Sequence, residues 1–280
     1  MRVFVTGATG YIGFAVVREL INAGHQVLGL TRSDNGAAVL KEAGAAVHRG
    51  ALDDLDSLHS GAAAVDGVIH LAFNQNSDFS DFAGALITDL RAVETMGAAL
   101  EGSDKPFVIT NHMNGVASEN AVFALAGVRS SVVSLAPSVH GKGDKGFVPR
   151  LINIARTKGV SAYIGDGTNR WPAVHRLDAA RLFRLALEAA PAGSRLTGRA
   201  EEGVPFRDIA DVIGKHLNLP VVSISREEAD AHFGFLGAIA ALDISSISPG
   251  SSVETQELLG WQPVHPELIP DLEQGHYFAQ

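Results

Sequence analysis

Short apolar runs alternate with amphipathic segments along the chain. Residues 3–5 form the first run, and the apolar side chains of residues 14–20 share one helical face. Further apolar runs of strand length stand at residues 25–32, 66–72 and 107–110. Because strands that alternate with helices favour a parallel sheet covered on both faces, the pattern predicts an α/β fold with a doubly wound parallel sheet.

The link between the first strand and the first helix is rich in glycine. Thr6 is followed by three glycines spaced Gly-x-x-Gly-x-x-Gly. Glycine lets a backbone turn sharply and approach a pyrophosphate, and a helix N-terminus attracts phosphate through its amides and its dipole. The alternative is a tight turn without a ligand, but the position between a strand and a helix favours a dinucleotide cofactor. The predicted contacts are Gly7, Thr9, Gly10, Tyr11, Ile12 and Gly13.

This turn resembles the opening of the extended short-chain dehydrogenase/reductase superfamily, which includes NAD-dependent epimerases and dehydratases. The resemblance covers nearly the whole chain, and its other landmarks are residues 135–141, 165–167, 173–180 and 259–263. It implies a Rossmann-type domain with a small C-terminal substrate-binding lobe. By this resemblance residues 1–142 and 174–200 form the cofactor domain, and residues 143–173 and 201–280 form the lobe.

The composition argues against several classes of partner. The chain has 31 acidic and 22 basic residues, a net charge of −9, so it lacks the basic surface that nucleic acid requires. It has no cysteine, and its eleven histidines lack a paired helical spacing, so no metal site is predicted. No run approaches the ~20 apolar residues of a membrane span, and the opening lacks a signal peptide. We expect a cytoplasmic enzyme with a small-molecule substrate and no nucleic acid or membrane partner; a homodimer is left open.

The end of the second strand bears on which dinucleotide binds. An acidic residue there holds the ribose hydroxyls of NAD, whereas a basic one accommodates the 2′-phosphate of NADP. The chain has Arg32 and Ser33, which can bond a phosphate, and no carboxylate before Asp34. NADP, as NADPH, is therefore the predicted cofactor, although Arg32 can also be a solvated arginine. At the adenine end the family's aspartate is replaced by Ala51, so only Leu52 is assigned there.

The resemblance also implies contacts around the nicotinamide. They lie after the fourth strand, at the end of the fifth and in the loop after the sixth: Leu71, Ala72, Phe73, Thr110, Pro137, Ser138 and Val139.

The catalytic pair of the superfamily is missing. Its members generally use a tyrosine with a lysine four residues on, and none of Tyr11, Tyr163 and Tyr277 has that partner. Alignment of the helix that carries the pair puts Gly115 and Glu119 in its place. The chain therefore resembles atypical members of the superfamily.

Two other residues are candidates for the chemistry. His112 follows the fifth strand and suits proton transfer near neutral pH, and Asn111 can bond a substrate oxygen. The alternatives are a loop histidine bonded to backbone and an asparagine that caps the next turn. His70, in an apolar run, is interpreted as a core histidine with its hydrogen bonds satisfied.

The substrate side is assigned to four residues: His140, Phe147, Trp171 and His175. His140 stands where relatives often have tyrosine, and Trp171 is expected to project apolar surface towards the cleft. The segment from His112 to Val128 is short for the superfamily, which indicates either a real deletion or an omitted loop.

Together these features predict an NADP-dependent oxidoreductase that reduces a carbonyl or similar group on a small molecule. The alternatives are a non-catalytic NADP-binding sensor and a nucleotide-sugar epimerase or dehydratase, whose reactions depend on the missing pair.

Overall fold

A computed structural model describes residues 1–73, 81–112, 115–247 and 251–279. The helices and strands fall into two compact units. The first unit contains residues 1–134, 179–197 and 253–261, and the second contains residues 135–178, 198–252 and 262–280.

The first unit is built around one seven-stranded sheet. Its strands and helices in chain order are β1 (Arg2–Thr6), α1 (Tyr11–Asn22), β2 (Gln26–Thr31), α2 (Asp34–Glu42), β3 (Ala46–Arg49), α3 (Leu55–Ala63), β4 (Gly67–His70), α4 (Phe82–Leu100), β5 (Pro106–Thr110), α5 (Val116–Ala124) and β6 (Arg129–Leu135). The second unit begins at Leu135, the last residue of β6.

The remaining chain builds the second unit, except for residues 179–197 and 253–261, which belong to the first unit and include most of β10 (Ser194–Gly198), the seventh strand of the large sheet. Its elements are β7 (Ser138–His140), α6 (Phe147–Lys158), β8 (Ser161–Ile164), β9 (Arg170–His175), α7 (Arg176–Ala189), β10 (Ser194–Gly198), β11 (Glu201–Pro205), α8 (Phe206–Leu217), β12 (Val221–Ile224), α9 (Ala229–Phe233), a 3₁₀ turn (Gly234–Leu236), α10 (Gly237–Ala240), α11 (Ile244–Ile247), α12 (Val253–Leu259) and α13 (Leu268–Glu273).

The large sheet has the strand order β10-β6-β5-β4-β1-β2-β3, and neighbouring strands from β1 to β6 pair in parallel. Strands β1 and β4 are buried along almost their whole length, as expected for a sheet with both faces covered. The predicted α/β fold is confirmed, and the predicted strands match β1, β2, β4 and β5 to within about two residues. The order reverses at β1, whose carboxyl end is a switch point where ligands bind in such sheets.

The second unit has two small sheets, ordered β11-β9-β7 and β12-β8. Its core contains Trp171, which is fully buried. The indole ring packs edge-on against Phe147 at 5.3 Å and Phe206 at 5.1 Å between ring centroids. The expectation that Trp171 projects towards a cleft is therefore wrong; it is a core residue of this unit.

Among the described residues, no helix combines the length and the apolar character needed to cross a bilayer.

Candidate functional site

Two glycines of the turn after β1, Gly7 and Gly13, have no room for a side chain. Gly7 has φ +66°, and a Cβ built on it would lie 2.8 Å from the amide nitrogen of Ala72. A Cβ on Gly13 would lie 2.0 Å from the carbonyl oxygen of Gly7, so helix and turn are in direct backbone contact. Gly10 is the N-cap of α1 and supplies no side-chain oxygen to the first amides. This geometry fits the close approach of a pyrophosphate to backbone amides at the helix start.

Thr6 fixes this turn to the end of β4. Its Oγ1 accepts hydrogen bonds from the amides of Leu71 and Ala72, each at 3.2 Å, and lies 2.6 Å from Nδ1 of His70. Since a hydroxyl has two lone pairs and one proton, the Thr6 hydroxyl must donate to His70 Nδ1. The proton of a neutral His70 is thereby assigned to Nε2.

Asp89, from α4, continues the network. His70 Nε2 donates to Oδ1 of Asp89 at 3.1 Å, and the hydroxyl of Ser118 donates to Oδ2 at 2.5 Å. The carboxylate is 2% exposed. Burial by itself would raise the pKa of Asp89, but the hydrogen bonds from His70 and Ser118 hold it below its usual value. Asp89 is therefore a buried anion at neutral pH.

His112 borders this network. Its Nε2 lies 3.7 Å from Oδ1 of Asp89, and its ring stacks on Phe73 with the centroids 3.9 Å apart. Burial lowers the pKa of His112 to about 4, with a further decrease from His70, and the Asp89 charge opposes both. The imidazole is therefore almost wholly neutral near pH 7, where a histidine with an ordinary pKa of about 6.5 would still be protonated in part.

The two residues that align with the missing catalytic pair, Gly115 and Glu119, have structural roles. Gly115 is the N-cap of α5, and a Cβ there would lie 3.0 Å from the carbonyl oxygen of His112. Glu119 is buried and pairs with Arg195. Neither residue can replace the tyrosine and lysine. Asn111 is exposed, and its Nδ2 donates to Ser134 Oγ at 3.4 Å.

The turn between β2 and α2 carries the predicted phosphate contacts. Arg32 and Ser33 are exposed, and Ser33 Oγ caps α2 by accepting from the amide of Gly36 at 3.0 Å. That bond leaves the Ser33 hydroxyl proton free to donate. Asp34, the nearest carboxylate in sequence, pairs with Arg49. Arg49 is thus a second basic residue at this edge that the sequence analysis missed.

The other predicted contacts in the first unit have varied exposure. Thr9 is exposed, whereas Leu52 is buried in the core beside β2. The side chains of the rest are half-buried: Tyr11, Ile12, Leu71, Ala72, Phe73 and Thr110. Their contact with a cofactor stays a prediction.

In the second unit the predicted residues cluster around His140. Ser138, Val139 and His140 form β7, which pairs in parallel with β9, and Pro137 precedes it. His140 is fully buried, with its Nδ1 2.9 Å from Asp271 Oδ2. His175 lies edge-on to it at 5.3 Å between centroids. The assignments of these residues and of Phe147 to cofactor or substrate stay predictions.

His175 also belongs to a group with Asp178 and His265 whose ligand atoms lie within 4.8 Å of one another. Asp178 accepts from the amides of Val264 and His265 at 3.1 and 3.0 Å, and His265 Nδ1 lies 2.8 Å from its Oδ1. The rings of His175 and His265 are stacked with an interplanar angle of 14°. Imidazole lone pairs lie in the ring plane, so two nearly parallel rings do not converge on one ion ~2 Å away. Burial lowers the pKa of His175 to about 4, and both neighbouring histidines add to the decrease.

Asp271→Ala is expected to destabilise the protein by about 1–3 kcal/mol, because it leaves the buried His140 Nδ1 without its acceptor. The check is urea unfolding followed by circular dichroism. Glu267→Ala, at the exposed N-cap of the same helix, is the matched control, and equal stability of both variants would contradict a structural role for the His140–Asp271 contact.

With this geometry established, comparison with known proteins identifies the family. Residues 3–93 match the model of the NAD dependent epimerase/dehydratase family. An uncharacterized protein of Schizosaccharomyces pombe is 48% identical, over 99% of this chain and all of that protein. The chain belongs to the NAD-dependent epimerase/dehydratase family. The predicted membership of the extended short-chain dehydrogenase/reductase superfamily is thereby confirmed.

Two further proteins to which this chain is similar are named for different reactions. A 2-alkyl-3-oxoalkanoate reductase of Stenotrophomonas maltophilia is 27% identical, over 79% of this chain and 77% of that protein. A solved UDP-glucose 4-epimerase from Thermotoga maritima shares the fold, with a TM-score of 0.74 and 18% identity over 99% of this chain and 98% of that one. These comparisons support an NAD(P)-dependent enzyme at the level of the family.

Proposed function

We propose that this protein is an NADPH-dependent reductase of a carbonyl or similarly polarised group on a small, fairly apolar molecule. The observation that carries the proposal is the turn after β1, where Gly7 and Gly13 pack backbone against backbone and the exposed Gly10 leaves the first amides of α1 without a side-chain cap. Such an opening suits the pyrophosphate of a dinucleotide. The names of two relatives, the 2-alkyl-3-oxoalkanoate reductase and a ketoreductase of Stigmatella aurantiaca, favour a carbonyl substrate.

Preference for NADPH rests on the turn between β2 and α2. Arg32 is exposed, the hydroxyl of Ser33 can donate, and Arg49 neutralises Asp34. A carboxylate that would accept from ribose hydroxyls, as in NAD-specific proteins, is already paired. A 2′-phosphate would meet net positive charge here.

A dihydronicotinamide dinucleotide held at the turn of Gly7, Gly10 and Gly13 would supply hydride for the carbonyl carbon of the substrate. His112 then gives a proton to the oxygen, which takes the electron pair of the broken π bond. With a pKa of about 4, only about one His112 in a thousand is protonated at pH 7, so proton transfer accelerates as the pH falls. Phe73 covers one face of the ring and limits its rotation.

Incubation of the purified protein with NADPH and a panel of ketones, aldehydes, imines and enones tests the function. Oxidation of NADPH that depends on one compound class is the expected result. Tight NADPH binding without any turnover would favour a non-catalytic sensor. Interconversion of nucleotide sugars without net NADPH consumption would favour an epimerase.

Arg32→Asp is expected to reverse the cofactor preference, because the new carboxylate repels the 2′-phosphate and can accept from ribose hydroxyls. Fluorescence titration with NADPH and NADH measures both affinities. Arg18→Asp, on exposed α1 surface, is the control for the change of charge. Unchanged NADPH affinity in Arg32→Asp would assign Arg32 to solvent.

A further inference from the structure

The buried carboxylate of Asp89 has contacts from three segments of the first unit, and a fourth segment orients one of its partners. His70 ends β4, Ser118 is in α5, His112 follows β5, and the Thr6 hydroxyl orients His70 from β1. Two of the donors satisfy separate oxygens of the carboxylate. Asp89 lies in α4 in phase with the buried residues Ala85, Ala92 and Val93, so helical periodicity places it on the apolar face of the helix.

The two ring nitrogens of His70 have different hydrogen-bonding roles. His70 Nδ1 receives the Thr6 proton, so its Nε2–H faces Oδ1 of Asp89. Nε2 of His112 faces the same oxygen at 3.7 Å, is buried, and has no hydrogen-bond partner among the described residues. A carboxylate near a ring nitrogen favours a proton on that nitrogen. Nδ1 of His112 then becomes the nitrogen that exchanges a proton.

We propose that Asp89 is the positioning residue of the reductase reaction: it holds the proton of neutral His112 on Nε2 and leaves Nδ1 to deliver a proton to the substrate oxygen. This inference rests on the proposed function and names a residue that acts through another. In the protonated ring both nitrogens carry a proton. Transfer from Nδ1 to the substrate oxygen leaves neutral His112 with Nε2–H towards Asp89, and solvent then restores the proton on Nδ1.

The network also explains why Asp89 does not itself take the proton. Burial acts to raise its pKa, but the hydrogen bonds from His70 and Ser118 lower it below the ordinary value, so Asp89 is ionised at neutral pH. Within the described part of the chain, Asp89 and His70 are the titratable groups that face His112, and the Asp89 charge is the one that favours protonation. Loss of that charge must therefore lower the pKa of His112.

The experiment follows the His112 ring in the protein without substrate. Long-range ¹H–¹⁵N NMR correlations report both the tautomer and the pKa, with His112→Ala used for assignment. In the wild type we expect the Nε2–H tautomer. In Asp89→Asn, which keeps the shape and removes the charge, we expect that tautomer preference to weaken and the pKa to fall by about one unit or more.

Two variants serve as references. Ser118→Ala removes one hydrogen bond from Asp89 but keeps its charge, so the His112 tautomer should be retained. Glu94→Gln neutralises an exposed carboxylate on the same helix and should leave the His112 signals unchanged. An Nδ1–H tautomer in the wild type, or an unchanged titration in folded Asp89→Asn, would overturn the proposal.

Kinetics separate this inference from the proposed function. At pH 7 the reductive kcat of Asp89→Asn should fall at least about tenfold, because the protonated fraction of His112 falls tenfold per pKa unit, while the Kd for NADPH stays unchanged. Asp89→Glu should recover part of kcat. Turnover in the wild type with undiminished kcat in Asp89→Asn would leave the reductase function standing and overturn the role of Asp89. Absence of turnover with every carbonyl compound would overturn the function, while the NMR result would still decide whether Asp89 sets the His112 tautomer.

Discussion

Gly10→Val should abolish NADPH binding while the protein remains folded. Gly10 is the N-cap of α1 with extended backbone, so a branched residue is tolerated by the main chain at this position. Its side chain, however, would occupy the space in front of the first helical amides that a pyrophosphate must enter. Isothermal titration calorimetry with NADPH measures the loss, and circular dichroism checks the fold.

Gly10→Ala is expected to weaken NADPH binding less than Gly10→Val does. A single Cβ at Gly10 would lie 3.1 Å from the carbonyl oxygen of Gly7, a tight contact that a small shift relieves. We expect weakened but measurable binding in this variant. Gly13→Ala serves as a comparison in which the turn itself is disrupted, because its Cβ would lie 2.0 Å from the same oxygen. Full NADPH affinity in folded Gly10→Val would remove the glycine turn from the cofactor site.

Local sequence patterns were sufficient to predict the sheet and the glycine turn. The burial of β1 and β4 follows from apolar runs, and the need for glycine at residues 7 and 13 follows from a strand that turns directly into a helix. These features depend on neighbours within a few residues. His70 was also interpreted correctly, as a buried histidine with both ring nitrogens in hydrogen bonds.

The candidate catalytic network depends on long-range contacts and could not be predicted in the same way. Thr6 and His70 are 64 residues apart, and Asp89 and Ser118 are 29 apart. An aspartate in an amphipathic helix usually faces solvent. The helical phase of Asp89 with Ala85 and Val93 is a local signal of its burial, but it does not identify the partners of the carboxylate. The pairing of Arg49 with Asp34 was missed for a similar reason, because it depends on the register of β2 against β3.

Trp171 and His112 were misjudged because burial is a tertiary property. Trp171 lies between turn-rich segments that are typical of a surface, yet β9 is sandwiched within its unit. The pKa of His112 was expected near the ordinary value of a histidine, but desolvation lowers it to about 4. The consequence is chemical. A histidine that is neutral at pH 7 supplies fewer protons, so a reductase that depends on it gains activity in acid.

His112→Ala should lower the reductive kcat by about 10²–10⁴ with little change in NADPH affinity, because the loss is confined to proton transfer. The pH profile provides a second readout. Activity that requires protonated His112 is complete below its pKa and declines as the pH rises through that value. In the wild type kcat should therefore rise as the pH is lowered from 7 and level off near pH 4. With a histidine of ordinary pKa, kcat would level off already near pH ~6.5.

The alanine variant should lose this dependence, because water then protonates the oxygen. Initial rates from pH 4.5 to 8, corrected for the decay of NADPH in acid, provide the comparison. His59→Ala, an exposed histidine in α3, controls for loss of an imidazole elsewhere in the first unit. An active His112→Ala enzyme with the wild-type pH profile would transfer the proton-donor role to another group. His140 is the next candidate, because it is buried against Asp271 and its Nε2 lacks a partner among the described residues.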